Sequence, residues 1–114
     1  MKASDHVLNK EKSVGQFYQS ILKQVEKFGD NIVISPVKNG ILVKSKSTFL
    51  GLKPKKSWLD VEFFSESVIE DVEVFKTLRT SKNRVAHYVR VDEPGQVNKK
   101  LIGWLKRSYE LVNR

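Results

Sequence analysis

The apolar residues of this chain change their spacing twice, and that pattern limits the folds open to it. From Ser13 to Phe28 they recur at helical intervals, with Val14, Phe17, Tyr18, Ile21, Leu22, Val25 and Phe28 forming one stripe. Between Asn31 and Val91 they fall into short runs, or alternate with polar residues as Leu59, Val61 and Phe63 do. From Val97 the helical spacing returns through Leu101, Trp104, Leu105, Ser108, Leu111 and Val112. Each helix has one apolar stripe to bury, and the intervening strands offer a sheet face to bury it on. With 114 residues there is material for one core. The expected architecture is therefore α+β: a two-layer sandwich with both helices on one face of a mainly antiparallel sheet of five to six short strands. Its other face is expected to stay partly open.

Local signals refine this reading. Ser13 and Gln16 have capping-box spacing at the start of the first helix, and Gly29 follows its last stripe residue, where a left-handed C′ position is expected. Ile32-Val33-Ile34 and Ile41-Leu42-Val43 flank Val37-Lys38-Asn39-Gly40, whose Asn-Gly pair marks a hairpin turn. Pro36 cannot donate to a ladder and belongs at a strand end or on an edge. Thr48–Leu52, Phe75–Arg79 and Val85–Val91 complete the strands, with Val85, His87, Val89 and Val91 on one face and Ala86, Tyr88 and Arg90 on the other. The short links imply antiparallel neighbours, because a parallel pair needs a crossover of about a dozen residues. Pro94, preceded by acids, suits the start of the last helix. Gly103 within that helix reads as close packing on the sheet, and Trp104 as a core anchor. Residues 1–12 lack periodicity and are expected to form a flexible arm, leaving 13–114 as a single domain.

The composition removes several function classes. Without cysteine there are no disulfides, thiolate zinc sites or cysteine nucleophiles. No apolar run approaches the roughly 20 residues of a membrane-spanning helix, and no signal-peptide pattern follows Met1. The expectation is a cytoplasmic prokaryotic protein with no membrane association.

Charge is distributed in blocks. The formal net charge is +8. Lys38, Lys44, Lys46, Lys53, Lys55 and Lys56 occur without an intervening acid, then Asp60, Glu62, Glu66, Glu70, Asp71 and Glu73 without a base, then Lys76, Arg79, Lys82, Arg84 and Arg90. Two readings stay open. Opposite charges on neighbouring strands pair across the sheet, each pair contributing about 0.2–1 kcal/mol, and lysines guard edges. Alternatively the basic blocks converge as an anion-binding surface, for which the candidate residues are Lys38, Lys44, Lys53, Lys55, Lys56, Trp58, Arg84, His87 and Arg90. Trp58, Phe64 and Tyr88 fall on the solvent-side register, where aromatic stacking would add to phosphate contacts.

Catalytic candidates are few. His87 reads first as a core imidazole with its ring hydrogen-bonded. The alternative is a partly buried imidazole in a pocket with Lys38 and Arg84. Asp60 and Glu62 lie on one strand face about 7 Å apart, a spacing too common in strands to assign a metal. There is no phosphate-binding glycine loop and no nucleophile elbow, so no catalytic residue, metal or cofactor is assigned.

Several segments together carry a family resemblance: Pro36-Val37-Lys38, Phe49-Leu50-Gly51-Leu52-Lys53-Pro54-Lys55-Lys56, Arg84-Val85-Ala86-His87-Tyr88-Val89-Arg90-Val91 and Trp104-Leu105-Lys106-Arg107-Ser108-Tyr109. The chain resembles the small prokaryotic family known as domain of unknown function 5655. The resemblance implies a module that occurs alone or as an accessory to larger, nuclease- or restriction-associated proteins, and it implies no reaction. Its recurrent polar positions correspond to Lys38, Lys53, Lys55, Lys56, Arg84 and His87. The leading expectation is a non-enzymatic binding module for nucleic acid or another polyanion. The alternatives are a protein-interaction or accessory domain, and a small-anion binder or enzyme centred on His87.

Overall fold

The computed structural model describes residues 10–114. They form two α-helices, α1 (Lys12–Val25) and α2 (Lys99–Val112). Six strands lie between them: β1 (Val33–Val37), β2 (Gly40–Lys44), β3 (Thr48–Pro54), β4 (Leu59–Ser65), β5 (Val74–Ser81) and β6 (Arg84–Val91). The sheet order is β1-β2-β3-β4-β6-β5, and every neighbouring pair is antiparallel. Both helices lie over β3 and β4 on one face, giving the two-layer α+β arrangement expected from the spacing. None of the helices is long and apolar enough to cross a membrane.

The register shows what closes the core. Ile41, Leu52, Val61 and Val89 form one row across four strands, and Val43, Leu50, Phe63 and His87 form the next. All eight are fully buried. The stripes of α1 (Val14, Phe17, Tyr18, Ile21, Leu22, Val25) and α2 (Leu101, Trp104, Leu105, Val112) close over them. Each large apolar side chain so buried contributes about 1.5–3 kcal/mol. Ser108 is buried among them: its hydroxyl donates to the Phe49 carbonyl at 2.6 Å and accepts the Phe64 N–H at 3.0 Å, pinning α2 to β3 and β4. At the β2–β3 register shift Phe49 is the extra residue, and the bulge turns it toward Phe28 and Tyr109.

Several local expectations are corrected. Ser13 and Gln16 do not cap α1, which begins at Lys12 after Glu11 with no side-chain cap. Instead the Glu11 N–H donates to the Lys56 carbonyl at 2.9 Å and the Ser57 hydroxyl to its carboxylate at 3.0 Å, so a tie to the β3–β4 turn replaces the cap. Glu11 and Lys12 are therefore held, while residues 1–9 of the expected arm lie outside the described residues. Gly29 is extended (φ 179°) rather than left-handed, and a Cβ there would displace the Tyr109 hydroxyl from its place beside Asn31. The hairpin turn is Lys38-Asn39, one residue earlier than the Asn-Gly pair suggests. Gly40 opens β2, where a Cβ would come within 2.6 Å of the Leu52 carbonyl oxygen. Pro94 starts a short 3-10 turn, and α2 begins later, capped by Asn98, whose side chain accepts the Leu101 N–H. Gly103 does not face the sheet; it is exposed, with no atom within 4 Å of where a Cβ would stand.

Candidate anion-binding surface

Strand direction decides where the basic residues go. The β1–β2 and β3–β4 turns leave the same end of the sheet, so Lys38, Lys53, Lys55 and Lys56 gather there, all exposed. The β3–β4 turn is closed from within by the Lys55 N–H on the Trp58 carbonyl at 2.8 Å, and braced from α1 by Glu11. Among the described residues no carboxylate lies within 4 Å of these four ammonium groups. Of the acids at this end, Asp60 is engaged with Arg90, Glu11 with Ser57 and Glu93 in the capping box of the 3-10 turn, while among the described residues exposed Asp92 contributes only its N–H, to Gln96. Lys44 and Arg84, half-buried, lie at the opposite end with the β2–β3 and β5–β6 turns. The lysine block therefore divides between two ends rather than converging as a whole.

On the uncovered sheet face the lysine end continues into aromatic side chains. Lys53, Asp60 and Arg90 lie side by side on β3, β4 and β6. The Arg90 guanidinium stands 4.6 Å from the Trp58 ring and 5.1 Å from the Phe75 ring, with its Nε 3.4 Å from Asp60 Oδ1. Below it the Lys76 ammonium lies 5.2 Å over the Tyr88 ring. Contacts of this kind at exposed sites contribute about 0.5–1 kcal/mol each, and they hold the cations against the sheet. The Tyr88 hydroxyl donates to Glu62 at 2.5 Å, and burial together with that carboxylate pushes it up to about 12. It is a fixed donor at neutral pH. Phe75 is half exposed, with Arg90 over its ring and the Tyr88 ring 6.4 Å away. The Trp58 indole N–H is covered without an acceptor among the described residues.

His87 is not on this surface. It is fully buried on the helix side, stacked on Phe63 (5.2 Å, 11°), which stacks in turn on Trp104 (5.4 Å, 17°). Its Nε2 accepts the Ile69 N–H at 2.9 Å, so Nδ1 carries the proton and donates to the Val85 carbonyl at 2.9 Å. Burial lowers its pKa below the ordinary histidine value, against the opposing pull of the Val85 bond. Lys38, Arg84 and His87 thus stand at one end, the other end and inside the core, and the pocket joining them does not form. Asp60 and Glu62 share a face as expected, but Arg90 and Tyr88 take them up, and no group of three metal-ligating side chains occurs among the described residues.

The sequence reading missed Phe75 and Lys76 as parts of this surface. The available signal was Phe75 standing among polar residues in a strand with no apolar alternation, the mark of a strand that no helix covers. Chemically, ammonium groups with no carboxylate within 4 Å among the described residues, beside a half-exposed aromatic ring, suit an anion.

A family model described as a domain of unknown function (DUF5655) matches residues 3–112. No curated protein and no solved structure matches the chain.

Proposed function

The chain belongs to the family of domain of unknown function 5655, and within it we propose that this domain is a non-enzymatic binding module for nucleic acid or another polyanion. The observation that supports this reading is the set of four exposed lysines at one sheet end, none with a carboxylate within 4 Å among the described residues, continuous with the Arg90–Trp58–Phe75 cluster. Lysines on two turns can follow a flexible phosphate backbone, and the neighbouring ring can receive a base, as on other single-strand platforms. The reading is one for a cytoplasmic domain in a prokaryotic cell. Fluorescence anisotropy of a short labelled single-stranded oligonucleotide tests it. The variant K53E/K55E/K56E should lose binding by about ten-fold or more, since each phosphate contact is worth a share of the electrostatic term. Reversing Lys44 and Lys46 at the far end should matter much less. Equal losses from both variants, or no binding at low salt, would overturn the proposal.

A second reading, an accessory domain that engages a protein through a sheet edge, draws on β5. This outer strand is exposed from Phe75 onward and carries half-exposed Phe75 and Leu78. Register shifts near both of its ends, together with Lys76 and Arg79, guard that edge against pairing with another copy. The lysine end has no such guard against an anion, and the first reading is preferred.

A further inference from the structure

On the face of the molecule away from the uncovered sheet, an open groove of about 1080 Å³ is lined by α1, α2 and the 94–98 segment. Its apolar lining is partly buried Val97 and Ile102 beside the core residue Phe17, and its rim is basic, from Lys23, Lys99 and Lys106, with no carboxylate in the lining. Gly103 opens onto it. A glycine inside a helix costs about 1 kcal/mol relative to alanine. No atom of the described chain lies within 4 Å of its missing Cβ, so packing among the described residues does not require it. What the glycine does is keep the groove clear where a side chain would project into it.

We propose that this groove is the docking site for an amphipathic helix of a partner protein, with its apolar stripe on Val97 and Ile102 and acidic residues flanking the stripe against the three lysines. Charge complementarity selects the acidic flank, since every charged residue of the lining is cationic. The stretch from Lys99 to Lys106 rises about 10 Å along α2, which matches two turns of helix read as i, i+3 or i+4, and i+7 anchors. The groove is open to solvent rather than enclosed. An acyl chain laid there would leave much of its length in water, whereas a helix has a polar face to turn outward.

The test uses two capped peptides of about 14 residues, long enough to fold on the surface. Both have leucines at i, i+4 and i+7; one has glutamates at its other charged positions and the other lysines. The intact domain should bind the glutamate peptide and not the lysine peptide. Gly103→Leu should weaken binding by about ten-fold or more, the size expected when a central contact is blocked. Its melting temperature should be unchanged or higher, because leucine is the better helix former and the space is open. Lys23→Glu, on the facing helix and exposed, should weaken it independently. Failure of the glutamate peptide to bind, equal binding of the two peptides, or indifference to Gly103→Leu would overturn the proposal, as would saturable binding of oleate in place of the peptide. Oligonucleotide binding at the lysine end should persist in Gly103→Leu, which separates this proposal from the preceding one.

Discussion

His87 shows how much a single residue's role depends on what its strand cannot reveal. Alternation with Val85, Val89 and Val91 puts it on the inward face, and the structure buries it there. Its partner, the Ile69 N–H, comes from the 66–73 connection, which bears no periodic signal and crosses the helix side of β6 to reach it. Replacing His87 by Phe removes both ring bonds and leaves the Ile69 N–H unpaired. The variant should lose about 1–3 kcal/mol of unfolding free energy in a denaturant titration, and an unchanged midpoint would contradict the assignment. A pH dependence follows with a definite sign. The native imidazole has a lowered pKa, so the unfolded chain takes up a proton that the folded chain resists. This part of the stability is present above the ordinary imidazole value of 6.5 and is lost as pH falls from there through the native value. The acid-side loss in that window should be absent in His87→Phe.

At the scale of elements, periodic stripes transferred from sequence to structure and terminal signals did not. The two helices, the alternation in β4 and β6, and the placing of Pro36 on the edge strand β1 all follow from spacing and backbone chemistry alone. The ends were set by contacts distant in sequence. Glu11 is held by the β3–β4 turn, and Gly29 is shaped by Tyr109, 80 positions away. Gly40 is the sharpest case, because its sequence signal was a turn and its structural need is close approach to β3. The obstructing atom is a backbone oxygen, which cannot rotate away as a side chain would. Gly40→Ala should therefore cost about 1–3 kcal/mol, in the range of other overpacked sites. Amide exchange in β2 and β3 should accelerate selectively. A neutral or stabilising effect would instead support the turn reading, in which alanine needs only a tolerable backbone angle.

For the whole molecule, the missing information was strand order. β6 inserts between β4 and β5, a topology that no local pattern encodes, and it sets Arg90 beside Asp60 and between Trp58 and Phe75. The acidic block is absorbed in the same way: Glu66 meets Arg114, and Asp71 and Glu73 meet Lys100. Thus the pairing reading of the charge blocks describes the acids, and the basic block divides between the two ends of the sheet. Acids pair with later bases, while Lys38, Lys53, Lys55 and Lys56 have no carboxylate within 4 Å among the described residues. The surface proposed for polyanions is defined by those four charges, so the most direct measurement is the salt dependence of oligonucleotide affinity. Release of counterions from about four phosphates predicts that log K falls with log salt at a slope of about −3 for a single strand. A slope near that value in the intact domain, shallower in K53E/K55E/K56E, is the predicted result; an affinity indifferent to salt would contradict it.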